Sequence, residues 1–440
     1  MQTVKFYTLG CKVNQYDTQN LRERFEEAGF KELEDTEAAD VCVVNTCTVT
    51  HKADADSLNI IRKTRRQNPK ARIIVTGCLT ELDEKKIKDA GARLIIKNKD
   101  KTRITEILNR QMGKSFGRLR TLRRRALSER EVPANRQMYK GISFFKGHTR
   151  AFIKIQDGCD NFCSYCKVPL VRGASRSRPL KDVVEEANRL SQNGFREIVL
   201  TGICLGSYGR DLKQRVSLVN VIDKLEDIDE QLRIRLSSIE AGDISDGLIH
   251  KLAHSRKLCR HLHVPFQSGD NEILKKMNRR DTFEDYLRLI RRIKAAIPEI
   301  AITTDIIVGF PSETEENFQN TLSLIKQTMP LRVHIFTYSL REPTAASNFK
   351  ENCNPVIVKK RVSKLKEISQ NCSLIFKKRF LNRKMEVLIE GRAKENKDYW
   401  QGYTGNYMKV EVKSELDLKN KMVPLQLKKI FNSHILADFY

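Results

Sequence analysis

Three closely spaced cysteines, Cys159, Cys163 and Cys166, are the strongest chemical signal in the sequence. They form a CxxxCxxC loop directly after a predicted strand that ends near Gln156. Three thiolates this close together can hold three irons of a 4Fe–4S cubane and leave the fourth iron open. The alternatives are unliganded core thiols or a structural zinc site, which would need a fourth ligand that the neighbouring sequence does not offer. We call these residues the loop trio.

A second set of cysteines, Cys11, Cys47 and Cys78, is spread along the chain but shares one position in its elements. Each follows a short apolar run, namely VKFYTL, VCVVNT and RIIVTG. Because the carboxyl ends of parallel strands open on one crevice, we expect these thiols to converge. This strand-end trio is a second candidate cluster site, again one ligand short; taken singly, each cysteine could instead be a small buried hydrophobe. Cys42, inside the second run, is expected to pack in the core.

The elements that must position these thiols follow from the apolar patterning. The first hundred residues alternate strand and helix patterns, which predicts a parallel sheet. Six further strand patterns, AFIKI, EIVLT, RIRLS, HLHVP, IAITTDIIV and RVHIFTY, predict a partial barrel or an open doubly wound sheet. The helix that carries Phe318 is expected to begin with a capping box from Ser312 to Glu315. After about Lys378, short strands without helices predict a small β-barrel.

The expected fold class is therefore α/β, with several domains. We predict an N-terminal parallel α/β domain at residues 1–112, a basic linker at 113–150, a partial (β/α) barrel at 151–375 and a small β-barrel at 376–440.

Charge and cysteine content narrow the class of protein. Lys and Arg total 81 against 55 Asp and Glu, and 81 − 55 gives a net charge of +26. A surplus of this size indicates an anionic macromolecular partner, nucleic acid first and an anionic membrane surface second. The 11 cysteines favour metal binding or catalysis over a disulfide framework in a reducing compartment. Since no run of 18 apolar residues occurs and the start resembles a strand, we expect an unprocessed cytoplasmic protein.

The motifs taken in order resemble one enzyme family, the radical S-adenosylmethionine methylthiotransferases. The resemblance is carried, from Thr8 to about Phe318, by TLGCKVNQYDTQ, ADVCVVNTCTVT, VTGCLTE, IQDGCDNFCSYCKVPLVRGASRSRP, LTGICLGSYG, RIRLSSIE, HLHVPFQSGD and TTDIIVGFPSETEENF. Within the family, GCKVNQYDT looks most like the MtaB type, which acts on threonylcarbamoyladenosine beside the tRNA anticodon.

This resemblance implies an activity and a set of cofactors. The enzyme would add a methylthio group to carbon two of the adenine, using two 4Fe–4S clusters and S-adenosylmethionine. The loop trio would generate the radical and the strand-end trio would deliver sulfur, so that both domains would have to face one substrate. The partner would be the tRNA anticodon stem-loop, bound partly by a C-terminal TRAM-like β-barrel, with no membrane partner. The electron donor and the sulfur source stay unidentified.

The resemblance also implies that residues after successive strands of the central domain line the cofactor pocket. These are Thr201, Gly202, Ser237, Ser238, Glu240, Gln267, Ser268, Val308 and Gly309. The alternative for each is ordinary turn chemistry. Cys204 departs from the family pattern, which usually has Asn or His there, and it places an additional thiol near the pocket.

The C-terminal segment has the residue types of an RNA-binding surface. Trp400, Tyr403 and Tyr407 form an aromatic group that could stack on bases, whereas an isolated Trp is often the core of such a barrel. Basic residues that could contact phosphates precede it, namely Lys377, Lys378, Arg379, Arg383 and Lys384.

Three other functions remain open at this stage. One is methylthiolation of isopentenyladenosine in tRNA, and another is methylthiolation of an aspartate in a ribosomal protein, which the basic balance disfavours. The third, of a different class, is a non-catalytic zinc-dependent RNA-binding protein.

Overall fold

The computed structural model describes residues 1–34, 37–111, 141–350 and 353–440, which divide into two compact units. The first unit contains Met1–Ser143 and Lys167–Gly173, and the second contains Phe144–Cys166 and Ala174–Tyr440. The predicted linker at 113–150 lies outside the described residues up to residue 140. Lys167–Gly173, which the predicted ranges assign to the central domain, packs with the first unit.

A parallel sheet forms the centre of the first unit. Its described strands lie in the order β2–β1–β3–β4–β5, with bounds β1 Thr3–Thr8, β2 Lys31–Glu32, β3 Val41–Thr46, β4 Arg72–Gly77 and β5 Leu94–Ile95. The helices are α1 Lys12–Glu27, α2 His51–Gln67, α3 Glu84–Asp89, α4 Ile104–Gln111 and, from the second segment, α5 Val168–Arg172. Strand β3 is buried throughout because alternate side chains enter different cores: Val41 and Val43 one, Cys42 and Val44 the other. Cys42 is thus a core residue.

The described part of the second unit begins with six parallel strands in two sheets. The sheets have the orders β10–β9–β6 and β11–β12–β13, and a bridge between Ser238 and His263 joins them. The bounds are β6 Arg150–Lys154, β9 Glu197–Thr201, β10 Arg233–Leu236, β11 His261–His263, β12 Ala301–Val308 and β13 Arg332–Thr337. Between β6 and β9 in the chain, β7 Gln156–Asp157 and β8 Arg176–Ser177 form a short antiparallel ribbon. The predicted α/β class is confirmed.

Seven described helices connect and cover these strands. They are α6 Leu180–Gln192, α7 Leu218–Glu226, α8 Asp246–His254, α9 Asn271–Lys276, α10 Phe283–Ala296, α11 Glu315–Thr328 and α12 Pro355–Lys378. The capping box predicted for α11 is wrong by two residues: Thr314 caps the helix reciprocally with Asn317. Ser312 has a φ of 66°. Because that left-handed conformation cannot belong to a right-handed helix start, the cap moves to the next suitable side chain.

A closed β-barrel completes the second unit. Its described strands, in the order β14–β15–β16–β18–β17, are β14 Lys384–Arg392, β15 Tyr399–Thr404, β16 Lys409–Lys413, β17 Met422–Phe431 and β18 His434–Phe439. Trp400 lies in its core with Val387 and Leu425. Among the described residues, no helix combines the length and the apolar character needed to cross a membrane.

Candidate functional site

The loop trio lies between β7 and α5, and all three thiols are half-buried. The end of α9 holds the loop in place: Ser164 N donates to Met277 O (3.0 Å), and Asn278 Nδ2 donates to Phe162 O (3.0 Å). Cys166 N donates to Cys163 O (2.9 Å), which closes a tight turn between two of the thiols. Three partly accessible thiols on one anchored loop are a donor set that suits an incompletely ligated iron–sulfur cluster.

Gln156 is an anchor of this loop that the sequence analysis did not identify. Its buried side chain donates to Gly158 O (2.8 Å) and accepts from Cys204 N (2.8 Å). The loop after β7 and the turn after β9 are therefore tied to one amide. The signal in the sequence was a polar residue at the buried end of an apolar strand.

Neighbouring side chains change the pKa of one thiol in the loop trio and place a positive charge beside another. A hydrogen bond from Cys204 lowers the pKa of Cys159 against the opposing effect of burial, and the same hydrogen bond raises the pKa of Cys204. Arg279 Nη1 lies 4.0 Å from Cys163 Sγ, and its guanidinium also pairs with Glu240. A fixed cation beside the thiols would offset the negative charge of a thiolate-bound cluster.

A cavity of about 170 Å³ adjoins the loop and contains Glu240, one of the predicted cofactor residues. Most of its described lining residues are polar or charged: Asn161, Cys163, Arg210, Glu240, Gly242, Asp243, Asn278, Arg279, Arg280 and Asp281. Charged groups of both signs can bind an amino acid moiety, which carries both an ammonium and a carboxylate.

The predicted cofactor residues after β9 and β10 lie at buried strand ends. A Cβ at Gly202 would lie 2.9 Å from Gln156 Oε1, so this glycine, next to Thr201, permits a close backbone approach. Ser237 is buried, and its Oγ hydrogen-bonds to none of the described residues. Ser238 is half-buried and bridges to His263. Ser237 therefore has hydrogen-bonding capacity that the described protein atoms do not use.

The remaining predicted cofactor residues have structural partners of their own. Gln267, at a φ of 68°, is joined to β12 through its backbone, and Ser268 Oγ accepts from Asp270 N (3.2 Å). Val308 is fully buried, and Gly309 N donates to Glu313 Oε2 (2.9 Å). Turn and packing chemistry accounts for these positions, so they carry less weight for a cofactor than Glu240 and Ser237.

The strand-end trio lies in the first unit, where the sheet brings its three thiols together. Thr8 pairs with Asn45 and Thr46 pairs with Gly77, so that the strands end nearly level. A Cβ at Gly10 would lie 2.5 Å from Cys47 Sγ, which places that sulfur against the turn before Cys11. Burial first, and then the charges of Cys11 and Cys78, raise the pKa of Cys47 to about 11. Cys47 is thus close enough to Cys11 and to Cys78 to interact with each of them electrostatically.

Beneath this trio lies a buried polar network that the sequence analysis missed. Asn14 Nδ2 donates to Thr46 O (2.8 Å), and Arg172 Nη2 donates to Asn14 Oδ1 (2.6 Å). Asp17 pairs with Lys101 (3.0 Å) and Arg172 (3.4 Å). The signal was present in α1, where polar residues three apart occupy the buried face right after Cys11. The network sets the position of the turns that carry Cys11 and Cys47.

Most of the aromatic side chains predicted to contact bases pack against other residues of the second unit. Trp400 is core, and the ring of Tyr407 lies 4.5 Å from that of His261 and 5.1 Å from that of Tyr403. Of the basic residues, Lys377 donates to Ser433 O (2.8 Å) and Arg383 pairs with Glu299 (2.7 Å). Several of the aromatic and basic residues predicted to contact RNA, namely Trp400, Tyr407, Lys377 and Arg383, therefore already have partners within the second unit.

Comparison with known proteins relates both units to described families. The radical SAM superfamily matches residues 153–325, and an uncharacterized protein family, UPF0004, matches residues 3–96. Threonylcarbamoyladenosine tRNA methylthiotransferase MtaB of Bacillus subtilis is 37% identical over 98% of this chain and 94% of its own length. The tRNA-2-methylthio-N(6)-dimethylallyladenosine synthase of Alkaliphilus oremlandii is 33% identical over 96% and 89%. The radical S-adenosylmethionine methyltransferase TsrM of Kitasatospora setae shares the fold, with a TM-score of 0.57 at 17% identity, covering 79% of this chain and 75% of that chain.

Proposed function

The chain belongs to the radical S-adenosylmethionine methylthiotransferase family, and we propose that it adds a methylthio group to carbon two of N6-threonylcarbamoyladenosine next to the anticodon of tRNA. The observation that carries this substrate is the 37% identity, over nearly the whole chain, to a relative named for it. The net charge of +26 supports a polyanionic partner.

The loop trio would hold the 4Fe–4S cluster that the radical SAM family uses, with Cys159, Cys163 and Cys166 as ligands. When bound, this cluster with S-adenosylmethionine supplies one-electron chemistry at an unactivated C–H bond. Gln156 would keep the loop in one conformation, and Arg279 would balance the thiolate charge. The half-buried positions of the thiols leave one side of the site accessible to a cofactor.

Polar groups near the loop would orient S-adenosylmethionine. Glu240 can accept hydrogen bonds from an ammonium group, and Ser237 brings a buried hydroxyl that no described residue engages. At the same strand ends, the backbone of Gly202, next to Thr201, lies close to the Gln156 side chain. The positions Ser238, Gln267, Ser268, Val308 and Gly309 would shape the pocket through their backbone.

The strand-end trio would hold a second 4Fe–4S cluster, and this would provide the site that delivers sulfur. Cys47 and Cys78 are buried and Cys11 is exposed, so one edge of the site faces solvent. The buried network of Asn14 and Asp17 would hold the ligand turns in place before the cluster binds. A cluster held by these three thiols alone would have one open iron, which could take exogenous sulfur.

A second substrate, dimethylallyladenosine in tRNA, is supported by relatives with 33–35% identity named for that modification. Nucleoside mass spectrometry of tRNA from cells that lack the gene separates the two. We expect 2-methylthio-N6-threonylcarbamoyladenosine to disappear and its unthiolated precursor to accumulate. Loss of the methylthio group from dimethylallyladenosine alone would refute the threonylcarbamoyl substrate, and an unchanged tRNA profile would refute both.

A further inference from the structure

Three side chains of the second unit, to which the proposed function assigns no role, lie close together. They are His263 on β11, Asp305 on β12 and His334 on β13, and one ligand atom from each lies within 4.8 Å of the other two. His263 Nε2 is 3.2 Å from Asp305 Oδ2, and the two imidazole centroids are 5.6 Å apart. All three residues are half-buried. We call them the His–Asp cluster.

Strand register brings these side chains onto one face of the sheet. Thr303 pairs with His263 on one side and with Arg332 on the other, and Asp305 pairs with His334. Residues two apart in a strand point to the same face, as do residues paired across neighbouring strands. The three ligand atoms therefore converge because of the backbone pairing, so the arrangement does not depend on the rotamer of one long side chain.

Thr303 supports one of the imidazoles from behind. Its Oγ1 is 2.9 Å from His263 Nδ1, which leaves His263 Nε2 directed at Asp305. Histidines that ligate metals usually engage their second ring nitrogen in this way, since that contact sets the tautomer and the ring orientation. A simple ion pair would need only His263 and Asp305, whereas the nearby nitrogen of His334 completes a three-ligand set.

We propose that the His–Asp cluster binds one divalent first-row transition metal ion, with ligands that belong to neither cysteine trio. Two imidazoles and a carboxylate suit Zn²⁺, Fe²⁺ or Mn²⁺. Three protein ligands leave at least one coordination position for water or for an oxygen atom of a bound molecule. The proposal stands on the geometry of these strands and does not depend on the tRNA substrate assigned above.

Cobalt titration of the full-length, cluster-loaded protein tests this site. His250 and His254, whose stacked rings lie 4.1 Å apart on α8, could also bind cobalt. The background protein therefore carries His250→Ala and His254→Ala. We expect this protein to bind one Co²⁺ with a visible spectrum that contains no thiolate-to-cobalt charge-transfer band.

Three separate variants in that background then identify the ligands. Asp305→Asn and His334→Gln keep side-chain volume and should each weaken Co²⁺ binding by tenfold or more, while Thr303→Val should weaken it by about 10- to 100-fold through the orientation of His263. Far-UV circular dichroism and iron content verify folding, and one variant that fails to fold leaves the other two to decide. Absence of stoichiometric binding, a spectrum with sulfur bands, or unchanged affinity in the folded variants would overturn the proposal.

Discussion

Replacing Glu197 with Gln removes one buried charge that we expect to hold the β-barrel against the parallel strands of the second unit. Glu197 is 0% exposed on β9. Its carboxylate contacts Arg235 Nε (2.7 Å), Arg233, and Arg150 Nη1 (3.7 Å). We call these four residues the Glu197 cluster.

Two of these arginines bind the end of β15 and the turn that follows it. Arg233 Nη2 donates to Tyr403 O (2.9 Å), and Arg235 Nη1 donates to Gly405 O (3.0 Å). The Arg235 guanidinium carbon also lies 4.7 Å from the centroid of the Tyr407 ring. Because Glu197 orients these guanidinium groups, its charge indirectly positions the barrel.

The loss of stability expected for Glu197→Gln follows from the burial of the Glu197 carboxylate. Burial alone would raise the pKa of Glu197, but attraction by Arg233, Arg235 and Arg150 outweighs it and holds the pKa well below its usual range. Glutamine keeps the shape but leaves buried guanidinium groups without their counter-charge, which costs about 3–5 kcal/mol. A carboxyl group whose pKa is lower in the folded state stabilises the fold at pH values above its unfolded pKa of about 4.3. This stabilisation is lost as the pH falls through the folded-state pKa. The difference between wild type and Glu197→Gln should therefore be full at neutral pH and shrink in acid.

Denaturant unfolding can be followed at the β-barrel itself, since the chain has 1 tryptophan and Trp400 lies in the barrel core. The matched control is Glu299→Gln, because Glu299 pairs with Arg383 at 2.7 Å with side chains that are 47% and 52% exposed. That exposed pair should contribute about 0–1 kcal/mol. If Glu197→Gln shifts the Trp400 transition no more than Glu299→Gln does, the reasoning about the buried charge is refuted.

Three further predictions concern the cluster sites and the pH response. Cys163→Ala should lose about half of the bound iron and abolish formation of 5′-deoxyadenosine, whereas Cys47→Ala should lose a similar amount of iron and retain that reaction; an equal loss of the reaction in both would contradict separate roles. Gln156→Leu should lower iron at the loop trio alone, by Mössbauer spectroscopy, with Gln156→Glu intermediate because it keeps the acceptor for Cys204 N; iron content equal to wild type in Gln156→Leu would remove its anchoring role. Burial, and after it Arg379, lower the pKa of Lys294 to about 8. Between about pH 8 and 10.4 the unfolded chain therefore binds more protons at this residue than the folded chain does, so the free energy of unfolding should rise with pH. Compared with Lys294→Met, the rise should be about 1–2 kcal/mol. If the stabilities of wild type and Lys294→Met, measured by melting at each pH, change in parallel across this range, the prediction is wrong.

Local spacing was enough to identify the loop trio, because three cysteines within eight residues must be neighbours in any fold. The strand-end trio required one more rule, that parallel strands end on the same edge, and the register of β1, β3 and β4 brings its thiols together. The assignment of clusters to both trios stays a prediction. The α/β class and the family were likewise accessible from motif order and alternation of elements.

Turn residues were harder to interpret from the sequence. Ser268 and Gly309 have the residue types of a binding loop, yet in the fold one caps a turn and the other makes room beside Val358. Trp400 and Tyr407 similarly have the residue types of an RNA surface, but Trp400 is buried in the barrel core and the half-buried Tyr407 packs against His261. The same residue types serve both purposes, and only their neighbours distinguish them.

The sequence by itself determined the ligand types, the order of strands and helices, and which apolar faces must be buried, because these depend on residues near one another in the chain. The tertiary structure decided the pairings between distant segments. Asn14 with Arg172, Gln156 with Cys204, and His263 with His334 are each brought together by strand register or by helix packing. A polar side chain shows its residue type in the sequence, but its partner depends on the path of the whole chain, because a buried donor binds whichever acceptor the fold places beside it.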